Sequence, residues 1–382
     1  MTLHTRENPF EPPAGGLSLY VHVPFCERKC NYCAFESAVP REGDVSLWLA
    51  SLEKEIALWT ARLGRISLNT CYIGGGTPSV LSGPVWMQLI GILERCFDFG
   101  SCAEVTVEAN PNSLSAEHLL AWREWRVTRV SLGVQSFDDA ELEMMGRLHS
   151  ARQAYNAISA SLASGLGVSL DLMFGLPAQT LQNWARTLKE AAAFRTGHIS
   201  LYQLSLEPGT PWSNLDASLL SDGYAQYRFA QWYLEKKGYR QYEVANFAKP
   251  GQESRHNLNY WNEGEYLGIG PGASGYLKGW RYKNSGVLPD YAARVESGRF
   301  AVISGETLSP EDRAKEAAVL ALRTVCGIDV GAYRSLYGDD ALSRLETILS
   351  SMPQDFFELS DERIALSKKG MRLANLIWSE IV

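Results

Sequence analysis

Short apolar runs alternate with longer stretches of helical periodicity through the first two hundred residues. LSLYVHV (17–23), NTCYIGG (69–75), EVTVEA (104–109), RVSLGVQ (129–135), VSLDLMF (168–174) and HISLYQL (198–204) are strand-length and rich in Val, Ile, Leu or Tyr. Between the first two, Val45, Trp48, Leu49, Leu52, Ile56 and Trp59 share one helical face over 45–62. Segments near 83–97, 114–126, 150–165 and 180–195 carry the same period. Six strand-then-helix units predict an α/β fold with a parallel sheet and right-handed crossovers. A doubly wound sheet and a partial (β/α)6 TIM-like barrel both satisfy that pattern.

The polar and glycine-rich residues favour the barrel, because they follow the strands. GGGTP comes after the second, Glu108-Ala-Asn-Pro after the third, Gln135-Ser after the fourth, Asp171 and GLP at the fifth, SLEPGTP after the sixth. In a parallel barrel the C-terminal strand ends form one rim, where chemistry collects. Beyond the sixth unit come a helical segment at 219–238, an extended stretch at 240–248 and glycine-rich GIGPGASG at 268–275. From about 290 the periodicity is mostly helical, clearest at 310–325, 340–351 and 368–381. The expected organisation is a tail at 1–16, a barrel with its extension at 17–288, and a small, mostly helical domain at 289–382.

Composition changes the picture little. Hydrophobic residues at 46% and charged residues at 21% are ordinary for a globular chain. A formal charge of −7 argues against nucleic acid as a main partner. The first residues carry neither a basic leader nor an apolar stretch of signal-peptide length, and no window approaches a membrane span. The expectation is a cytoplasmic protein, without direct membrane insertion, whose thiols stay reduced.

Seven cysteines is an odd count, and three of them crowd one loop. Cys26, Cys30 and Cys33 in VHVPFCERKCNYCAFES have the spacing C-x3-C-x2-C directly after the first strand. Thiolates at this density select zinc or an iron–sulfur cluster. A structural zinc site wants a fourth ligand, yet Cys71, Cys96, Cys102 and Cys326 are dispersed. A cubane cluster gripped at three corners leaves one iron open.

This loop, GGGTP after the second strand, and acid and amide residues at later strand ends resemble the radical S-adenosylmethionine (SAM) superfamily. The resemblance implies a [4Fe–4S] cluster on Cys26, Cys30 and Cys33, with SAM chelating the open iron. It also implies SAM contacts from Gly75, Gly76 and Thr77, and from Glu108, Gln135, Arg147 and Asp171. Tyr20, Tyr32, Ser205 and Ser274 match further backbone or edge contacts. The residue types suit the ligand: glycines admit backbone to the ammonium, Glu108 can accept from the ammonium or a ribose, Gln135 and Asp171 suit the ribose hydroxyls, and the Arg147 fork can pair with a carboxylate. A strand-to-helix turn without a ligand would use the same glycines, and any one polar residue alone could be a packing residue.

YVHVPFCERKCNYCAF, EANP, GVQSF, GRLH, DLMFGLP and LSKKGMRLANLIW together resemble the oxygen-independent coproporphyrinogen III oxidase family, from about residue 17 to 382. The oxidase has a further cysteine two places after the third, where this chain has Phe35, and a longer segment ahead of the cluster, where only 25 residues precede Cys26. Both departures match the heme-chaperone (HemW) branch. That implies heme as cargo and delivery to heme-accepting proteins such as respiratory enzymes, with a homodimer as the implied assembly. Alternatives are coproporphyrinogen oxidation and anaerobic heme breakdown.

RHNLNYW (255–261) matches the chaperone's motif. By that resemblance His256 is the candidate heme ligand, Tyr260 and Trp261 pack on the macrocycle, and Arg255 meets a propionate. The alternative is that His256 and Asn257 cap a helix or turn while the aromatics sit in core. His22 reads as a core histidine or a partner to a cluster sulfur, and His149 as a residue that positions Arg147.

Overall fold

The computed structural model describes residues 16–382, so the expected tail lies outside the described residues apart from Gly16. Six strands, β1 (Leu17–Val23), β2 (Ile66–Gly75), β3 (Glu104–Ala109), β4 (Arg129–Gln135), β5 (Gly167–Phe174) and β6 (His198–Gln203), pair in parallel and in chain order. The order never reverses, which separates this sheet from a doubly wound one. Its two edges do not meet. β1 takes Tyr266–Ile269 in parallel, and β6 takes Asn246–Ala248 antiparallel, leaving a partial barrel.

Alternation along the strands builds two different faces. Leu19 and Val21, Cys71 and Ile73, Val105 and Val107, Leu170 and Leu172 are buried against the helical layer. The helix Asp44–Leu63 answers with Trp48, Leu52, Ile56 and Trp59 at i, i+4, i+8 and i+11, all at 0% exposure. Each fully buried side chain of this kind contributes roughly 1.5–3 kcal/mol. The other face is polar. Ser18, Tyr20 and His22 register with Thr70, Tyr72 and Gly74, and β3 to β6 continue with Glu104 and Glu108, Arg129 and Ser131, Ser169 and Asp171, His198 and Ser200.

The N-terminal end of this polar interior is stoppered by the helix Arg255–Trp261. Ser254 caps it by accepting from the Asn257 amide at 3.3 Å, and the Glu104 carboxylate accepts from the Arg255 and His256 amides at 3.0 and 3.1 Å. Arg129 donates to the carbonyls of Gln252 and Glu253 just before it.

The expected helices form with ends moved by a few residues; 368–381 is broken at Leu373 into Lys368–Arg372 and Ala374–Ile381. Residues 289–307 stay with the barrel-side sheet, since Val302–Thr307 pairs with Trp280–Asn284. A second hydrophobic core runs from Ala314 to Ile381. It includes a small antiparallel sheet of Ile328–Asp329, Arg363–Leu366 and Phe357–Leu359 among the expected helices.

Candidate functional site

The C-terminal ends of the six strands surround a cavity of about 470 Å³. Into it project Cys26, Cys30 and Cys33 from the loop after β1, and Gly75, Gly76 and Thr77 from the end of β2. Glu108, Gln135 and Asp171 come from β3, β4 and β5, with Tyr32, Arg147 and Ser205 from loops. Tyr20, Ser274 and His256 are not brought there. Tyr20 faces the interior below, with its hydroxyl on His22 Nδ1 at 3.0 Å, and Ser274 is exposed opposite Lys283.

The cysteine loop is clamped from three sides. The Gly76 and Thr77 amides donate to the carbonyls of Val23 and Phe25 at 2.8 and 2.7 Å. Asn31 donates through Nδ2 to the Met144 carbonyl and through its amide to Met145, while its own carbonyl accepts from the Trp212 amide. Burial holds the His22 imidazole neutral, so its Nε2–H donates to the Glu36 carbonyl at 2.7 Å and Nδ1 accepts from Tyr20. His22 thus latches the far end of the loop.

The glycines serve this packing. A Cβ on Gly76 would stand 2.4 Å from the Phe25 carbonyl oxygen, and one on Gly75, whose φ is +109°, would stand 2.6 Å from the His22 ring. The expectation of room for a ligand's ammonium is thereby joined by a second constraint, the approach of two loops.

A closed polar circuit connects the thiols to the strand ends. Thr77 Oγ1 lies 3.4 Å from Cys26 Sγ and accepts from Asn110 Nδ2 at 2.9 Å. Asn110 Oδ1 accepts from Arg147 Nη2 at 2.6 Å, which also donates to the Gly133 carbonyl, and Arg147 Nη1 reaches Cys30 Sγ at 3.6 Å. His149 donates to the Val134 carbonyl at 3.0 Å, steadying the segment that carries Arg147.

Two features mark the cavity as built for a polar ligand. Among the described residues Gln135 Oε1 and Arg147 Nε are buried without a hydrogen-bond partner, and Gln135 holds φ of +65°, a left-handed conformation that costs a non-glycine residue on the order of 1–3 kcal/mol. Burial, with Asp171 nearby, raises the Glu108 carboxyl to about 7 against donation from Tyr72 and Gly75; burial raises Asp171 to about 6. Protonated, either acid can donate as well as accept.

Among the described residues no three His, Cys, Asp or Glu side chains converge where one metal ion could sit. The thiols are free and partly exposed, and burial, with Cys30 and Cys26 adding to it, pushes the Cys33 thiol up. Three thiolates side by side fit a polynuclear cationic core better than a single ion.

The comparisons with known proteins agree with this geometry. Residues 20–191 match the model of the radical SAM superfamily, and residues 308–373 that of the HemN C-terminal domain. The heme chaperone HemW of Bacillus subtilis is 34% identical over 370 residues, which span 94% of this chain and 98% of that protein. The chain belongs to the HemW family. The HemW protein of Escherichia coli is 40% identical over 269 residues, 68% of this chain and 70% of its own length. In fold, the E. coli coproporphyrinogen III oxidase HemN, a radical SAM enzyme, superimposes with a TM-score of 0.86 over 98% of this chain and 90% of its own, at 22% identity. A [4Fe–4S] cluster and SAM are the cofactors of this superfamily.

The sequence reading missed several residues of the site. Asn110 lies inside the EANP motif, yet its place at the centre of the circuit needs the fold. Tyr72 donates to Glu108 Oε1 at 2.7 Å, and Ser131 to Asp171 at 3.0 Å. Their signal is the i±2 alternation that puts polar residues on the inner strand face. His256 is wholly buried in the stopper, with Nδ1 2.7 Å from Thr70 Oγ1 and Nε2 2.7 Å from the Tyr260 hydroxyl.

Proposed function

We propose that this protein binds heme and delivers it to acceptor proteins such as respiratory enzymes, acting in the cytoplasm on a cluster- and SAM-bearing scaffold. The observation that carries the reading is the likeness to HemW chaperones along nearly the whole chain, together with Phe35 at the place where the oxidase has its additional cysteine. Among the described residues no helix is long and apolar enough to cross a membrane, so membrane-bound acceptors would be met through docking.

Cys26, Cys30 and Cys33 would hold the cluster, leaving one iron for the amino and carboxylate groups of SAM. Gly75, Gly76 and Thr77 would line the approach to the ammonium. Glu108 would accept from the ammonium or a ribose hydroxyl, Gln135 and Asp171 would meet the ribose hydroxyls, and Arg147 would meet the carboxylate. The rim combines Phe35, 68% exposed, with Arg28 and Lys29, a surface suited to a flat apolar ring that carries carboxylates.

The test is an anaerobic assay on reconstituted protein that follows heme, coproporphyrinogen and SAM together. A Soret band that moves to an apo-acceptor, with coproporphyrinogen untouched, supports the chaperone. Formation of protoporphyrinogen with SAM consumed makes the protein an oxidase, and an opened tetrapyrrole makes it a degrading enzyme. Serine replacements of Cys26, Cys30 or Cys33 should each lose bound iron, whereas Cys326→Ser should keep it.

A further inference from the structure

The HNLNYW helix matched a heme-binding motif, yet its histidine stands beneath the cavity floor. Thr70 Oγ1 donates its proton to Ser18 Oγ at 2.8 Å, so it accepts from His256 Nδ1–H, and the Nε2 lone pair of the imidazole is taken by the Tyr260 hydroxyl. Burial keeps the ring neutral, holding its pKa down at about 3. Both nitrogens are engaged and neither points at open space.

The face of the imidazole does other work. It lies against the Tyr72 ring, with centroids 5.2 Å apart and planes 28° from parallel. The Tyr72 ring is stacked in turn against Tyr20 at 6.2 Å, and its hydroxyl donates to Glu108 Oε1 at 2.7 Å. Glu108 Oε2 accepts from the Gly75 amide at 3.1 Å. The helix that carries His256 is itself fixed, through its N-terminal amides, to Glu104 on the same strand as Glu108.

We infer that His256 is a positioning residue: its imidazole sets Tyr72, and through Tyr72 the Glu108 carboxylate on the cavity wall, and it does not ligate heme iron. The inference rests on the reading of Glu108 as a SAM contact. A histidine serves here because two ring nitrogens lock its orientation while its face supports a neighbouring ring. The titratable groups that face Glu108 are Tyr72, Asp171, Tyr20, Tyr202 and Tyr260. Of these, Tyr72 is the one that donates to it, and donation favours the ionised form. A displaced Tyr72 therefore leaves Glu108 protonated to higher pH.

The experiment measures SAM affinity against pH, and the Soret band of added heme, on the anaerobically reconstituted full chain. The variants are His256→Leu, which removes the ring at similar volume, His256→Phe, which restores a ring, Tyr72→Phe and Glu108→Gln. His256→Leu and Tyr72→Phe should each weaken SAM binding roughly ten-fold, the loss expected for one hydrogen bond to a charged group. Both should move the pH midpoint of binding upward. His256→Phe should recover most of the affinity, and both His256 variants should keep the Soret position of the wild type.

If His256→Leu does not fold, Thr70→Val removes the acceptor that orients the imidazole and carries the same expectation at roughly three-fold. The inference is overturned if Glu108→Gln weakens SAM binding while the His256, Thr70 and Tyr72 variants bind it normally at every pH. It is also overturned if His256→Phe loses the Soret band with SAM binding intact, since the imidazole then serves the heme. Normal SAM binding by Glu108→Gln would remove the reading of Glu108 itself, and this inference with it.

Discussion

Arg147 Nη1 lies 3.6 Å from Cys30 Sγ, while Nη2 of the same guanidinium holds Asn110 and the Gly133 carbonyl at 2.6 Å each. One planar fork thus spans the cysteine loop and two strand ends, and among the described residues its Nε has no hydrogen-bond partner. A lysine keeps the charge but not the fork. Arg147→Lys should retain its iron yet bind SAM about ten- to thirty-fold more weakly, the loss of one or two charge-assisted hydrogen bonds. Iron analysis and equilibrium dialysis check this, and wild-type SAM affinity in the lysine variant would refute the assignment of Arg147 to the carboxylate.

Gly75→Ala tests the packing of the two loops. The new Cβ would meet the His22 ring at 2.6 Å in a backbone of φ +109°, and His22 cannot retreat without releasing Glu36. A destabilisation of about 2–4 kcal/mol is expected from clash plus strain, with poor cluster retention. Gly64→Ala supplies the control, because Gly64 also has a positive φ, +71°, but among the described residues nothing lies within 4 Å of its Cβ position. Its cost should be about 1–2 kcal/mol, that of the left-handed conformation alone. Denaturant unfolding of both variants separates the two contributions, and equal losses would dismiss the clash.

Glu55 is a buried carboxyl that does not line the cavity. It accepts from the Gly270 amide at 2.7 Å and from Asn284 Nδ2 and the Tyr291 hydroxyl at 2.6 Å each, tying the helix Asp44–Leu63 to the GIGPGASG loop. Burial raises it from 4.5 to about 7 despite these donors. Between those values the native state keeps a proton that the unfolded chain releases, so stability falls as pH rises through the window. Glu55→Gln has no proton to lose. The stability of the wild type relative to this variant should decline by on the order of 3 kcal/mol across the window, complete above pH 7. Urea midpoints at several pH values check it, and a pH-independent difference would show that Glu55 titrates normally.

The frame of the molecule was legible because each strand announces itself as an apolar run and each helix as a stripe such as Trp48, Leu52, Ile56 and Trp59. The cysteine loop was legible because its chemistry lies within eight consecutive residues. What was not legible depends on register. Tyr20 and Tyr72 stack side by side only because β1 and β2 pair residue for residue, and Asn110 joins Thr77 to Arg147 across 33 and 37 residues of chain. Ser274 fell outside the cavity because the glycine-rich segment turns into a hairpin rather than reaching the mouth. His256 shows the converse problem: its aromatic neighbours looked the same in sequence whether they wrapped a macrocycle or the barrel's own floor.

That floor also fastens the C-terminal domain. Trp261, the last residue of the HNLNYW helix, lies under the Arg323 guanidinium at 4.2 Å, with Trp378 of the final helix 5.1 Å away. Arg323 pairs at 3.3 Å with Glu243, whose carboxylate is fully buried, and the chain segments cross-bond through the Val244 amide to the Arg323 carbonyl and the Val325 amide to Tyr242. Removing the arginine strands a buried anion. Arg323→Ala should cost about 3–5 kcal/mol, whereas the same change in a Glu243→Gln background should cost far less, because no unpaired charge remains. Burial already raises the Glu243 carboxyl, and Arg323 opposes that rise. In Arg323→Ala the carboxyl is therefore protonated to higher pH than in the wild type, and the penalty should shrink as the solution is acidified enough to neutralise it. A double-mutant cycle by urea denaturation at neutral and mildly acidic pH measures both effects. Additive losses that do not change with pH would mean that Arg323 acts only through its packing between Trp261 and Trp378.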